Sequence, residues 1–121
     1  VTRVLVLADD LIWSTRLIDQ VRAAGADGAP VRTLAALSQA LPAADAVIVD
    51  LTARAYDGVV AVRRASEAGR RVLAVGQHDD TPLRKRALDA GADKVLAYRK
   101  LFEDGPDTIA GWLATPAARA R

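Results

Sequence analysis

Short apolar runs alternate along the chain with stretches whose apolar positions recur every three or four residues. Residues 3–8, 31–34, 46–50, 72–76 and 94–98 are strand-length runs rich in Val and Leu, mostly apolar at successive positions. Strands covered by helices on both faces have no solvent side, so such runs point to parallel strands inside a layered fold. Between the first two runs, Trp13, Leu17, Val21 and Ala24 share one helical face, and Gly25, Gly28 and Pro30 close the helix. A short second helix runs from Thr33 or Ala35 to Leu41 and stops at Pro42. Val59, Val62 and Ser66 line a third, closed by Gly69, and Leu83, Ala87 and Ala90 line a fourth that ends at Gly91. Thr81 is placed to cap that fourth helix, with Pro82 at its first position. The last helix is expected from Pro106 to about Ala114, with Ile109, Trp112 and Leu113 turned inward.

Five strands alternating with five helices predict an α/β fold: a doubly wound, five-stranded parallel sheet of the flavodoxin-like type, strand order 2-1-3-4-5. The 121 residues suit one domain, with a core over about 3–114 and a frayed Ala/Arg tail over 115–121. In such sheets ligands bind beyond the carboxyl ends of the strands, where strands one and three diverge. That rule selects Asp9, Asp10 and Asp50.

Composition narrows the chemistry. The chain has no cysteine, which removes disulfides, thiolate nucleophiles and sulfur-ligated zinc, and suits a reducing cytoplasm. The apolar opening reaches Asp9 and Asp10 too soon for a signal sequence or a membrane span. Seventeen Lys and Arg against fifteen Asp and Glu leave +2, too small a surplus to imply nucleic acid. Arg63-Arg64, Arg70-Arg71 and Arg84-Lys85-Arg86 read as solvated helix faces. No glycine-rich phosphate loop follows the first strand, and no nucleophile triad is present. The single histidine, His78, reads as a solvated loop residue beside the candidate site, with metal binding as its alternative.

Carboxylates gathered at one rim repel unless they share a proton or hold a cation, and oxygen ligands in an open cleft suit hydrated Mg²⁺. Aspartates at strand ends also serve as helix caps, and that reading stays open for the cluster.

The segment Asp45-Ala-Val-Ile-Val-Asp50-Leu-Thr-Ala-Arg-Ala-Tyr-Asp57-Gly58 resembles the third-strand signature of response-regulator receiver domains, and Gly91-Ala92-Asp93 resembles their turn into strand five. The similarity runs over about residues 3–113, with each motif alone only moderately specific. It implies a domain of two-component signalling, not itself an enzyme, in which Asp50 accepts a phosphoryl group from a histidine kinase. It also implies that Asp9 or Asp10, with Asp50 and the carbonyl of Thr52, holds Mg²⁺. A direct ligand survives whether Ala8-Asp9 or Asp9-Asp10 is aligned with the family's acidic pair.

Three positions depart from the pattern. Gly76 stands where a Thr or Ser is expected, Tyr98 where a lysine is expected, and Val95 where the aromatic switch residue is expected. Lys100 is a substitute cation, roughly 6.6 Å further along if that segment is extended, whereas Lys94 starts about 13 Å away on the wrong side. Losing one preorganised charge stabiliser costs about 10²- to 10³-fold in rate, so the expectation is a degenerate receiver acting through protein contact. The alternatives are a working phospho-acceptor that recruits Lys100, and a small flavodoxin-like ligand-binding protein. Partners would be a histidine kinase, a downstream signalling protein, or a second copy. The second copy would meet the face of helix four, strand five and helix five, with Tyr98, Leu101 and Trp112 at its apolar centre and Trp13 left in the core.

Overall fold

The computed structural model describes residues 1–77 and 79–115. His78 and the tail beyond residue 115 lie outside the described residues. The elements in chain order are β1 (Arg3–Leu7), α1 (Leu11–Ala23), β2 (Asp27–Val31), α2 (Leu34–Ala40), β3 (Ala46–Asp50), α3 (Gly58–Glu67), β4 (Arg71–Gly76), α4 (Thr81–Asp89), β5 (Lys94–Ala97) and α5 (Tyr98–Ala114), with a 3-10 turn at Leu41–Ala43. The five strands are parallel in the order β2-β1-β3-β4-β5, the doubly wound flavodoxin-like arrangement.

Alternation along each strand divides the core between two faces. Leu5, Leu7, Val47, Val49, Val72 and Ala74 meet the apolar sides of α2, α3 and α4. Val4, Val6, Ala46, Ile48, Leu73 and Val75 meet Leu17 and Val21 of α1 and Leu101, Ile109 and Trp112 of α5. Because β3 is covered on both sides, all five of its residues are buried, Asp50 included.

Several expectations change. The second strand is Asp27–Val31, not 31–34, so Gly28 and Pro30 lie in a strand and do not close a helix. The amide of Asp27 bonds Thr2 and the carbonyl of Val31 bonds Ala8. By alternation, Pro30 turns its missing N–H away from β1, which an edge strand tolerates. Asp80, not Thr81, caps α4: its carboxylate accepts from the Leu83 amide at 3.1 Å. Strand five stops at Ala97, and α5 begins at Tyr98 rather than Pro106. Non-helical backbone at Asp104 divides α5 two residues before Pro106, whose ring has no N–H to give and crowds the preceding turn.

Part of the basic surface is structural. Arg64 bonds the Ser38 hydroxyl at 3.0 Å, Arg70 bonds the Leu41 carbonyl at 3.1 Å, and Arg71 donates to the Leu113 and Thr115 carbonyls at the end of α5. Cationic groups near free helix carbonyls complement the helix dipole.

Candidate functional site at the strand tips

Strand register sets the site. Leu7 pairs with Val49, Asp50 pairs with Val75, and Gly76 pairs with Ala97. The residues that follow these pairs, Asp9 and Tyr98, therefore converge on the Asp50 end of the sheet.

Asp50 is 2% exposed, and one of its oxygens, Oδ1, is crowded with donors. It accepts from the Thr52 amide at 2.9 Å and the Thr52 hydroxyl at 2.8 Å, and the Tyr98 hydroxyl also donates to it. Tyr98 Oη and Thr52 Oγ1 are themselves 2.5 Å apart. Two hydroxyl protons thus serve three close oxygen pairs, a compact polar cap over the carboxylate. Burial is the main cause that raises the Tyr98 phenol above its ordinary value, and the hydrogen bond to Asp50 adds to it.

A second tyrosine braces the rim from below. Tyr56 is buried, and its hydroxyl lies 2.9 Å from both the Leu7 carbonyl and the Asp50 carbonyl, tying the ends of β1 and β3 together. Burial first, and the Asp50 charge second, push its phenol up. Asp57 caps α3 through the Val59 and Val60 amides at 2.9 and 3.2 Å. A Cβ on Gly58 would come within 2.9 Å of the Leu51 backbone, so the Asp57-Gly58 pair lets α3 start directly against the segment that leaves Asp50.

The other two carboxylates are engaged locally. Asp10 caps α1, accepting from the Ile12 and Trp13 amides at 2.8 and 3.0 Å. Asp9 Oδ2 accepts from the Arg54 and Ala55 amides at 2.9 and 3.1 Å, and the Arg54 bond is the largest cause of a lowered carboxyl pKa. Arg32 reaches the Asp9 carbonyl at 3.0 Å. Among the described residues no three acidic or imidazole side chains converge on a cation-sized position. Asp10 is held at the start of its helix, which leaves Asp9, Asp50 and the Thr52 carbonyl as the part of the expected Mg²⁺ set at the strand tips.

Sequence comparison finds no family model and no curated protein that matches this chain. Solved structures do match. The receiver domain of the Francisella response regulator 1452 superposes with a TM-score of 0.77 at 16% identity, over 93% of this chain and 96% of that one. The BeF3-activated DrrB receiver domain reaches 0.82 at 16% identity, over 94% and 98%. A Burkholderia pseudomallei response regulator bearing a phosphorylated aspartic acid, a calcium ion and citrate gives 0.72 at 15%, over 94% of this chain and 74% of that one. The chain has the response-regulator receiver fold.

Within that fold the departures at the tips of β4 and β5 gain a geometry. Gly76 offers no hydroxyl, although a Cβ there would meet only Leu51 at an ordinary 3.6 Å. Val95 is buried in the helical-layer core on the α2–α4 side. Lys100 does not extend along a strand as expected: it lies in α5, and its ammonium pairs with Asp104 at 3.6 Å. Two helical residues separate it from Tyr98, a rotation of about 200° that turns it away from the side Tyr98 presents to Asp50. Leu101 and Trp112 are 0% exposed, so they belong to the core and cannot form the apolar centre of an open face. Trp13, expected in the core, is instead half-buried, its ring tilted against Tyr98 and stacked on Phe102.

In the sequence Tyr98 stood as a missing lysine and as part of an apolar face, not as a partner of Asp50, and Tyr56 was not singled out. A phenol reaches about as far as a lysine side chain and carries a donor, and Tyr56 is a lone aromatic in the polar stretch between Asp50 and Gly58. Those were the available signals.

Proposed function

We propose that this chain is a receiver-type signalling domain that works through protein contact, with Asp50 held by the Tyr98 hydroxyl in place of phosphorylation. The observation that carries this reading is the Tyr98 contact with Asp50, backed by the paired bonds from Thr52. A carboxylate that attacks phosphorus needs an oxygen lone pair directed at it, and positive charge around the equatorial oxygens supplies most of the catalysis. Here one acceptor oxygen is occupied by three donors, the position of the charge carries a neutral phenol, and the hydroxyl position is glycine. Each absent stabiliser lowers the rate about 10²- to 10³-fold, so the combined deficit removes phosphorylation on a signalling timescale.

The partner is another protein of a cytoplasmic signalling system, a kinase or a downstream component. Among the described residues no helix is long and apolar enough to cross a membrane. Recruitment of Lys100 as the catalytic cation is not favoured, since its ion pair with Asp104 and its helical position keep it on another side of α5. Incubation with acetyl phosphate and Mg²⁺ followed by intact-mass measurement tests the reading. An unchanged mass is expected, and stoichiometric phosphorylation that maps to Asp50 overturns it.

A further inference from the structure

Tyr98 faces two ways. Its hydroxyl bonds Asp50 and Thr52, while its ring centroid lies 4.4 Å from that of Trp13. Trp13 in turn stacks on Phe102, with centroids 4.8 Å apart and planes 27° apart. Tyr98 and Phe102 stand four residues apart on one side of α5, and the Trp13 ring from α1 contacts both. The Arg16 guanidinium completes the array, 5.9 Å from the Trp13 centroid and 5.6 Å from the Phe102 centroid. The array opens onto surface: Phe102 is 42% exposed, and Leu11 and Ile12 at the start of α1 are 63% and 67% exposed.

We infer that Tyr98 is a coupling element, which transmits the state of Asp50 through the Trp13 and Phe102 rings to the exposed ends of α1 and α5. Without the Asp50 carboxylate the Tyr98 hydroxyl keeps only the exposed Thr52 hydroxyl, 2.5 Å away, and is no longer anchored to the strand tip. The Tyr98 ring moves with it, and Trp13 loses one of its two ring contacts. Coupling is reciprocal: whatever fixes the Trp13 and Phe102 rings in their stack also strengthens the hold of Tyr98 on Asp50. The route differs from a hydroxyl-to-aromatic relay through the ends of β4 and β5, since Gly76 and Val95 supply neither group.

The inference rests on the same Tyr98 contact as the proposed function, yet the two can fail separately, because mass addition tests phosphate acceptance and tryptophan signals test coupling. The two tryptophans give two indole N–H resonances in a ¹⁵N-labelled sample, assigned with Trp13→Phe. Trp112 is the internal control, fully buried and bonded through its indole nitrogen to Asp93 at 3.3 Å. Asp50→Ala is expected to shift the Trp13 signal more than the Trp112 signal. In a Tyr98→Phe background, which keeps the ring and removes the hydroxyl, the same change should leave Trp13 unmoved. Should Asp50→Ala fail to fold, Thr52→Val removes one hydroxyl partner at the exposed edge and gives a smaller shift of the same selectivity. A Trp13 signal indifferent to these changes, or displaced equally with and without the Tyr98 hydroxyl, overturns the coupling.

Discussion

The tips of β1 and β3 and the tips of β4 and β5 form one rim, but they carry different kinds of residue. On the first pair the framework is complete: Asp50 is buried, Tyr56 ties both strand ends, and Asp57-Gly58 brings α3 against Leu51. On the second pair the positions that would act on a phosphoryl group hold Gly76 and Tyr98. The framework on the first pair also serves the fold, since β3 is buried on both faces and Asp57 caps α3. Tyr98 is more than a loss, since its phenol adds a third donor to the buried Asp50 oxygen that Thr52 already bonds.

This contrast is broken most forcefully by rebuilding the second pair. Gly76→Ser with Tyr98→Lys supplies a hydroxyl and a cation and frees Asp50 of the Tyr98 hydroxyl, and the space beside Gly76 admits a Cβ. Phosphorylation by acetyl phosphate should rise by about 10²-fold or more over the wild type, read by intact mass against time. An unchanged rate would mean that Asp9 and Asp50 are also unfit for the chemistry.

The first pair is probed by Tyr56→Phe, which removes the hydroxyl shared by the Leu7 and Asp50 carbonyls. A loss of about 1–2 kcal/mol in urea unfolding is expected, because the acceptors are buried. A smaller effect would show that the two strand ends hold together without the brace.

Alkali addresses both pairs at once, since one tyrosine belongs to each and both phenols are raised. A raised phenol contributes stability that is present below the unfolded value near 10 and is lost as pH rises toward the folded value. These are the only tyrosines in the chain, so tyrosinate absorbance should appear together with loss of helical circular dichroism and not before it. Tyrosinate formed in a folded protein would show that one hydroxyl is freer than its bonds imply.

Smallest is the effect of Asp9→Asn, which weakens the hold on the Arg54 and Ala55 amides. Because the Asp9 carboxyl is lowered in the fold, its stabilisation is present above the ordinary carboxylate value and fades as pH falls through the folded value. The difference between wild type and variant in thermal melting should therefore be modest at neutral pH and vanish in acid.

Legibility in the sequence followed burial. Three of the strands, at residues 3–8, 46–50 and 72–76, stood out as apolar runs because both faces are covered, and their register delivered Asp9 and Asp50 to one rim. The edge strand Asp27-Gly28-Ala29-Pro30-Val31 was hidden by turn-forming residues that only an edge accepts. The start of α5 was hidden by Gly105-Pro106, which drew attention from Tyr98, Leu101 and Phe102 at helical spacing. Misplacing that start put Lys100 on an extended strand and Leu101 on the surface, so one boundary error produced two wrong roles. The capping of Asp50 needs the three-dimensional meeting of residues 46–48 positions apart, which no local pattern contains.

The most direct test is a crystal structure of the protein soaked with Mg²⁺ and beryllofluoride. The account predicts the Tyr98 oxygen in hydrogen-bond contact with an unmodified Asp50. A beryllofluoride adduct on Asp50, with Tyr98 swung out from the carboxylate, would contradict it.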